Sequence, residues 1–419
     1  MQSSNRNAYR RHSLAFLGAV ALIFLLSFLL NTFINPLWVT PAPWSSSDFA
    51  DYKPIHKQPR TAKAGLALMG PWDGAIVGSS RVDIAINPRA DEWNGARIVN
   101  LGLRGGNLCE FAPMIELASA HNDLKTILLG IDHYDLTSNV LIPNPSAFNE
   151  SPLTEPPSKI ERTLRYYLGG SSTTYSVKSI NYRAKGRLAS YDRLGQWTQS
   201  LDGRPFLNIF TTDSAPQAIG WVERSFTRKN VIQEKLDALR SILSICREKN
   251  IRLIVIIPPN HAMYQSIFFI GGAVDPTFQE NRELILKLIS ESDREHPGAQ
   301  PVDVWDFNDF HPLNCASIGG DRKAFLDNWL DGTHARQSIG DIILSRVFDQ
   351  DTPNPEALPY GQKLTQDTLS QREEAIEAGY QRYRREQPND WELSKSIMLE
   401  LKNKEKSHPT ADGGETEKR

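Results

Sequence analysis

The stretch "AIVGSSRVDI", residues 75–84, runs three apolar residues into a glycine, two serines and the opening of a helical pattern. It reads as a buried strand entering a sharp turn. A serine at such a turn is commonly a helix N-cap. A serine on a tight strand-to-helix turn can also present its hydroxyl above a sheet, with its own N–H facing the place an oxyanion would occupy. The stretch alone leaves both readings open. Similar runs recur along the chain: "GAIVG" (74–78), "RIVNLG" (97–102), "KTILLGID" (125–132), "IRLIVIIPP" (251–259) and "PVDVWDF" (301–307). Bounded by Gly, Pro or Asp and lacking polar alternation, they fit strands buried on both faces of a parallel sheet. Between them, "KNVIQEKLDALRSILSICREKN" places Val231, Leu236, Leu239, Ile242 and Leu243 at helical spacing. The alternation predicts an α/β three-layer domain.

The chain has 419 residues, enough for one large domain with insertions or two modest ones, and a formal net charge of −2. With no strongly basic surface to neutralise phosphates, nucleic acid is a poor candidate partner. At the N-terminus, Arg6, Arg10 and Arg11 precede the uncharged run "SLAFLGAVALIFLLSFLL", which continues weakly through "NTFINPLWV". This predicts a single transmembrane anchor over 13–37 with residues 1–12 cytoplasmic, because the next basic residue is Lys53. A cleaved signal peptide is the competing reading, but such apolar regions span about 7–15 residues and end in a small-x-small site. Trp38 and Trp44 suit the outer interface as aromatic anchors. Cys109, Cys246 and Cys315 are too few and too scattered for a disulfide framework or a thiolate metal site.

Residues 38–69, rich in Pro and Ser, read as a tether lifting the domain off the bilayer. The folded region spans 70–349 and holds an insertion at about 138–228, broken by "IPNPSAFNESPLTEPPSK" and "YLGGSSTTY". Long insertions of this kind are lids, partner surfaces or decorative subdomains. Residues 350–402 read as a linker and a charged helix with a thin apolar stripe, and 403–419 as a disordered tail.

In open parallel sheets ligands bind beyond the carboxyl ends of the strands, so the residues just after the apolar runs carry the interest. Ser80 follows the first. Near the end of the domain, "DGTH" places Asp331 and His334 three residues apart at the opening of a helix "ARQSIGDIILSRVF". On one side of a helical turn, the carboxylate would accept the imidazole Nδ1–H and leave Nε2 as a general base. Asp331 as a plain N-cap beside a surface His334 is the alternative. "IIPPNHAMY" puts Asn260 and His261 at the rim of the expected cleft, where they would contact substrate or merely stiffen a turn. Arg81 would hold an anionic group of the substrate or simply begin a surface helix. "DVWDFNDFH" gathers Asp303, Asp306, Asp309 and His311 but lacks the Gly-turned spacing of a calcium loop and the i, i+4 His pair of a zincin. No metal and no cofactor is expected.

Taken together, "VGSSR", "NLGLRGG", "LLGIDHYD" and "WLDGTHARQSIGDIIL" resemble, in chain order, the blocks of the SGNH/GDSL hydrolase superfamily over residues 70–349, with the insertion unmatched. The resemblance is to a divergent, membrane-anchored branch that works on cell-envelope polymers and includes alginate O-acetylation proteins and the teichoic acid D-alanylation protein. It implies a flavodoxin-like parallel sheet and a triad of Ser80, His334 and Asp331, with the N–H groups of Ser80 and Gly105 as oxyanion donors. Two positions depart from the pattern: Ser79 replaces the Asp of Gly-Asp-Ser, and Asp132 stands where the family has an oxyanion-hole Asn. An ionised carboxylate cannot donate, so the hole has two donors, or Asp132 is protonated, or it orients His133 or the substrate. The implied protein is an esterase or O-acyltransferase acting on a polysaccharide or glycan. It would be held by one span in a bacterial inner membrane, its domain periplasmic, beside a multi-pass acyltransferase or glycan-export partner. A catalytically inactive scaffold or glycan-binding component of such a complex is the alternative.

Overall fold

A computed structural model of the chain describes residues 2–40, 44–154, 158–198, 203–224, 228–349 and 359–407. It opens with α1 (Gln2–Ile34), whose stretch Tyr9–Ile34 is long and apolar enough to cross a membrane. Leu14, Leu17, Leu22, Leu25 and Leu29 on it all stand exposed. The described part of the expected tether, 38–40 and 44–69, packs on the body instead. Leu37, Trp38 and Val39 are buried in the core, the Ser46 N–H donates to the Phe33 carbonyl at 2.8 Å, and α2 (Pro59–Leu68) is buried along most of its length. The Pro and Ser content suggested slack chain, but Leu37, Phe49 and Ile55 supply apolar side chains that dock it. Trp38 is not an interface anchor: it lies buried under the Lys53 ammonium, 4.0 Å from its ring, while Trp44 is exposed.

The sheet begins with β1 (Gly74–Val77), which runs into α3 (Ser80–Ala85), followed by β2 (Ile98–Asn100), α4 (Leu108–His121) and β3 (Thr126–Gly130). The insertion then contributes α5 (Pro145–Asn149), α6 (Lys159–Leu168), α7 (Gly170–Ala184), α8 (Phe206–Ile209), a single π turn (Phe210–Ser214) and α9 (Ala215–Arg224). The main fold resumes with α10 (Gln233–Glu248), β4 (Arg252–Ile257), α11 (Ala262–Gly271), α12 (Gln279–Glu295), β5 (Asp303–Asp306) and α13 (Gln337–Val347). A two-residue β6 (Gln362–Lys363), α14 (Leu369–Glu386) and α15 (Pro388–Ser407) complete it.

The six strands form one sheet in the order β2-β1-β3-β4-β5-β6. The first five are parallel and β6 lies antiparallel on β5. Alternate residues divide between two cores, as the two-residue period of a strand requires. Val77, Leu129 and Val255 pack with Leu66 of α2, Phe111 of α4, Leu239 of α10 and Ile285 of α12. Ile76, Leu128 and Ile254 pack with Val82 of α3, Met263 of α11 and Ile339 of α13. The chain is therefore a mixed α/β protein with a mostly parallel sheet and one N-terminal apolar helix.

Two further expectations differ. The C-terminal helices pack on the body: Ile376, Tyr380, Tyr383 and Trp391 form a buried cluster with Phe310 and Cys315. Part of the charge on α14 faces inward: Arg372 is drawn to the carboxylates of Asp306 and Asp309, each at 2.7 Å. Helix α15 also continues to Ser407, into the stretch read as a tail; 408–419 and most of the linker, 350–358, lie outside the described residues.

Candidate active site

The chain leaves β1 for β2 on one side and returns to β3 on the other, so β1 and β3 bracket the point where strand order reverses. Crevices outside the carboxyl ends of strands at such a point are where open α/β sheets bind ligands. The glycine at the end of β1 has no substitute: Gly78 has φ +152°, and a Cβ there would stand 2.9 Å from the Gly130 carbonyl oxygen. The turn delivers both serines, with different tasks. Ser79 caps α3, its Oγ accepting the Arg81 N–H at 3.3 Å and donating to Asp132 Oδ1 at 3.0 Å. Ser80 is the first helical residue, so its N–H has no intrahelical acceptor. Its hydroxyl donates to His334 Nε2 at 2.8 Å.

Behind His334, Nδ1 donates to Asp331 Oδ2 at 2.7 Å. A carboxylate only accepts, so the proton sits on Nδ1 and neutral Nε2 is left as the acceptor. The Asp331–His334 pair is not on a helix, contrary to the sequence expectation. It forms a loop closed by a bridge between Trp329 and Ala335, with the Leu330 N–H donating to the His334 carbonyl at 2.9 Å, and α13 starts only at Gln337. The carboxylate shapes this loop itself, because Oδ1 accepts the N–H groups of Thr333 at 2.7 Å and His334 at 3.0 Å and the Thr333 hydroxyl at 2.9 Å. Such short-range side-chain bonds are what Asp offers a turn in place of helix. A fourth donor arrives from the insertion: Ser214 Oγ lies 3.4 Å from the same oxygen while accepting the Gly332 N–H at 3.3 Å. Burial disfavours the charged carboxylate, but His334 and the hydrogen bonds from His334 and Thr333 outweigh it and hold Asp331 well below the usual carboxylate range.

No family model matches this chain, and no curated protein matches it in sequence. The site must therefore be read from its own geometry.

The other candidate residues fall in two groups. Gly105 stands exposed at φ +63° in a turn closed by the Gly106 N–H on the Leu103 carbonyl at 2.8 Å. The same loop is pinned to the serine turn by the Leu103 N–H on the Gly78 carbonyl at 2.8 Å. Asp132, Arg81, Asn260 and His261 are instead buried. Arg81 pairs with Asp132 at 3.6 Å and donates to His133 Nδ1 at 3.1 Å; it neither begins a surface helix nor faces solvent. Asn260 donates to Asn308 Oδ1 at 2.8 Å and to His133 Nδ1 at 3.2 Å. His261 caps α11 and meets the Ala316 carbonyl through Nε2 at 2.8 Å. These residues stiffen the strand ends and are not rim contacts; an apolar strand end buried on both faces leaves a following polar side chain only other buried polar groups to bond. The carboxylates of β5 and of the turn after it are likewise committed to cations: Asp303 to Arg252 and Lys363, Asp306 to Arg282 and Arg372, Asp309 to Arg372.

Thr333 and Ser214 escaped the sequence reading. Thr333 lies inside "DGTH", where an Asx-type turn would have revealed it. Ser214 has no such signal, since its contact spans 117 residues.

Proposed function

We propose that the protein is a serine esterase or O-acyltransferase of SGNH type, with the three-layer flavodoxin-like arrangement of that superfamily. One observation carries the reading: the unbroken hydrogen-bond chain from Ser80 through His334 to Asp331 at the carboxyl edge of β1. Ser80 Oγ attacks an acyl carbonyl carbon as its proton passes to His334 Nε2. Asp331 holds the ring and balances the imidazolium. The oxyanion collapses, the ester C–O bond breaks, and the proton goes from Nε2 to the departing alkoxide, leaving an acyl group on Ser80. An acceptor hydroxyl or water then gives its proton to Nε2, attacks the acyl-serine and restores the enzyme. The N–H groups of Ser80 and Gly105 face the developing oxyanion in this reading, each donor of that kind being worth roughly 10²–10³ in rate.

The departures from the family pattern fit together. The resemblance puts a carboxylate at position 79 and an amide at 132; this chain has a hydroxyl at 79 and a carboxylate at 132, joined at 3.0 Å. Asp132 Oδ1 thus answers Ser79 and Arg81, and in this reading the oxyanion is served by two backbone donors. A structural task for Asp132 supports the enzyme reading over the scaffold alternative, whose best support is the departure at that position.

By its resemblance and its apolar N-terminal helix, the enzyme works outside the cytoplasm of a bacterium from one span in the inner membrane. Its substrates there are acyl groups on an envelope polysaccharide or glycan, with a multi-pass acyltransferase or glycan exporter as the fitting partner. A fluorophosphonate probe tests the chemistry. The full chain and Ser79→Ala label, whereas Ser80→Ala does not; a folded protein that never labels would overturn the reading.

A further inference from the structure

The α6–α7 hairpin of the insertion is packed on the apolar anchor itself. Phe28 of α1 meets Tyr167 with ring centroids 5.6 Å apart. Asn31 donates to the Tyr167 carbonyl at 2.8 Å and to Thr173 Oγ1 at 3.0 Å, and it accepts from the Ser176 hydroxyl at 2.8 Å. A polar amide near the end of an apolar run needs such partners, because burial without a hydrogen bond is costly. Both Phe28 and Asn31 lie inside the apolar stretch Tyr9–Ile34. A hydrocarbon layer of about 30 Å takes about 20 helical residues, and each turn rises about 5.4 Å. Counted from Ser13, just after the arginines, such a span ends near Thr32, so Phe28 sits about one turn within it. The helices seated on Phe28 and Asn31 are therefore at the depth of the bilayer surface.

Their outward faces suit that place. Ile160 (73 % exposed) and Leu164 (48 %) precede Tyr167 at helical spacing on the same side of α6, while Val177 (53 %) and Ile180 (41 %) lie one turn beyond Thr173 and Ser176 on α7. Residues 159–187 also hold seven basic side chains and one acidic one, in a chain of net charge −2; Arg165 pairs with Glu161, Arg183 with Asp48, and Arg162 donates to the Ser151 and Thr154 carbonyls, while Lys159, Lys178, Lys185 and Arg187 complete the basic set. Aliphatic side chains beside a cationic surface are the composition of helices that lie in the headgroup region, the cations reaching toward anionic lipids.

We infer that α6 and α7 form a second membrane contact, resting in the headgroup layer of the leaflet on the domain side of the bilayer. The inference rests on α1 spanning that bilayer. The anchor and the hairpin together then hold the domain in one orientation, with the Ser80 cleft at a set height and not swinging on a tether.

The test uses the full chain with Cys109→Ser in vesicles of phosphatidylethanolamine and phosphatidylglycerol. An environment-sensitive fluorophore is placed by Leu164→Cys or Ile180→Cys, with Lys287→Cys on α12 as a water-facing reference and Leu22→Cys as a reference in the anchor. Each labelled protein is first shown to keep a cooperative unfolding transition, and either hairpin position suffices if the other fails. The expected result is quenching at 164 and 180 by lipids brominated near the headgroup, severalfold stronger than at 287, with iodide quenching in the reverse order. Iodide quenching at the hairpin equal to that at 287 overturns the inference. Protection from both quenchers also overturns it, in favour of a second copy or another protein on this face. If the label at 22 escapes quenching by lipids brominated deep in their acyl chains, the anchor reading falls and takes the inference with it; deep quenching at 22 without headgroup-level quenching at 164 or 180 defeats the hairpin contact alone.

Discussion

At Ser79 the hydroxyl is spent on the Arg81 N–H and the Asp132 carboxylate, so the cap that the turn demands is supplied without Ser80. That leaves the Ser80 hydroxyl for His334. In the neighbouring pair, Asp331 does two jobs with its two oxygens: Oδ2 fixes the His334 tautomer, and Oδ1 gathers the loop donors. In Asp331→Asn the amide nitrogen can occupy the Oδ2 place and drive the ring to the wrong tautomer. The rate of fluorophosphonate labelling should fall by about 10⁴, as expected for loss of a triad carboxylate, while the unfolding transition stays cooperative. His261 carries a pH dependence of another kind. Burial lowers its pKa from 6.5 to about 4. The unfolded chain takes up that proton below about 6.5 while the folded chain refuses it until about 4, so stability rises with pH across this window, by about 3 kcal/mol in all from this group. Denaturant titrations between pH 4 and 7 should show the slope, and His261→Asn, which keeps a capping acceptor, should remove this share of it, leaving the share of His133, whose pKa burial and Arg81 also lower.

The triad joins residues 254 positions apart in sequence, and two short elements set the gap. Ser80 opens α3 and His334 lies just before α13, and these helices cross at Gly340, where a Cβ would come within 1.8 Å of the Ala85 carbonyl oxygen. The absence of a side chain at 340 is what lets the two helices approach. Gly340→Ala must push them apart, costing about 1–3 kcal/mol in overpacking, and the displacement should also slow labelling of Ser80. A thermal melt and a labelling time course on the same sample separate the two effects; an unchanged labelling rate would show that the Ser80–His334 distance does not depend on this crossing. The "DGTH" segment shows why the element was misread. Residue spacing suggested a helical turn, whereas the carboxylate has stronger local options in a loop, and the helix pattern of Ile339, Ile342 and Ile343 begins only after it.

Across the whole molecule, distant segments converge on the sheet. Arg282 of α12 and Arg372 of α14 both donate to Asp306 Oδ2 at 2.7 Å, tying the C-terminal helices to the end of β5. Burial opposes charge on Asp306, but the two arginines outweigh it and hold its pKa below the ordinary value. Arg372→Leu leaves this cluster short of a cation and should lower the unfolding free energy by about 3–5 kcal/mol, measured by denaturant titration; a loss under about 1 kcal/mol, the range of an exposed ion pair, would mean that α14 does not need the contact. The strands from "GAIVG" to "PVDVWDF", the α/β class and the apolar N-terminal helix were legible in the sequence, because each is a pattern of burial repeated within some ten to thirty residues. Ser80, Asp331 and His334 could be named from it too, since strand ends and local spacing mark them. That the three meet, that Ser79 and not Ser80 is the cap, that Asp132 answers Ser79, and that Ser214 supports Asp331 were decided only by tertiary structure. So was the docking of residues 37–40 and 44–68, where composition suggested a tether. The contacts of Ser80 with His334, Ser79 with Asp132 and Ser214 with Asp331 join residues 254, 53 and 117 positions apart, which no local periodicity records.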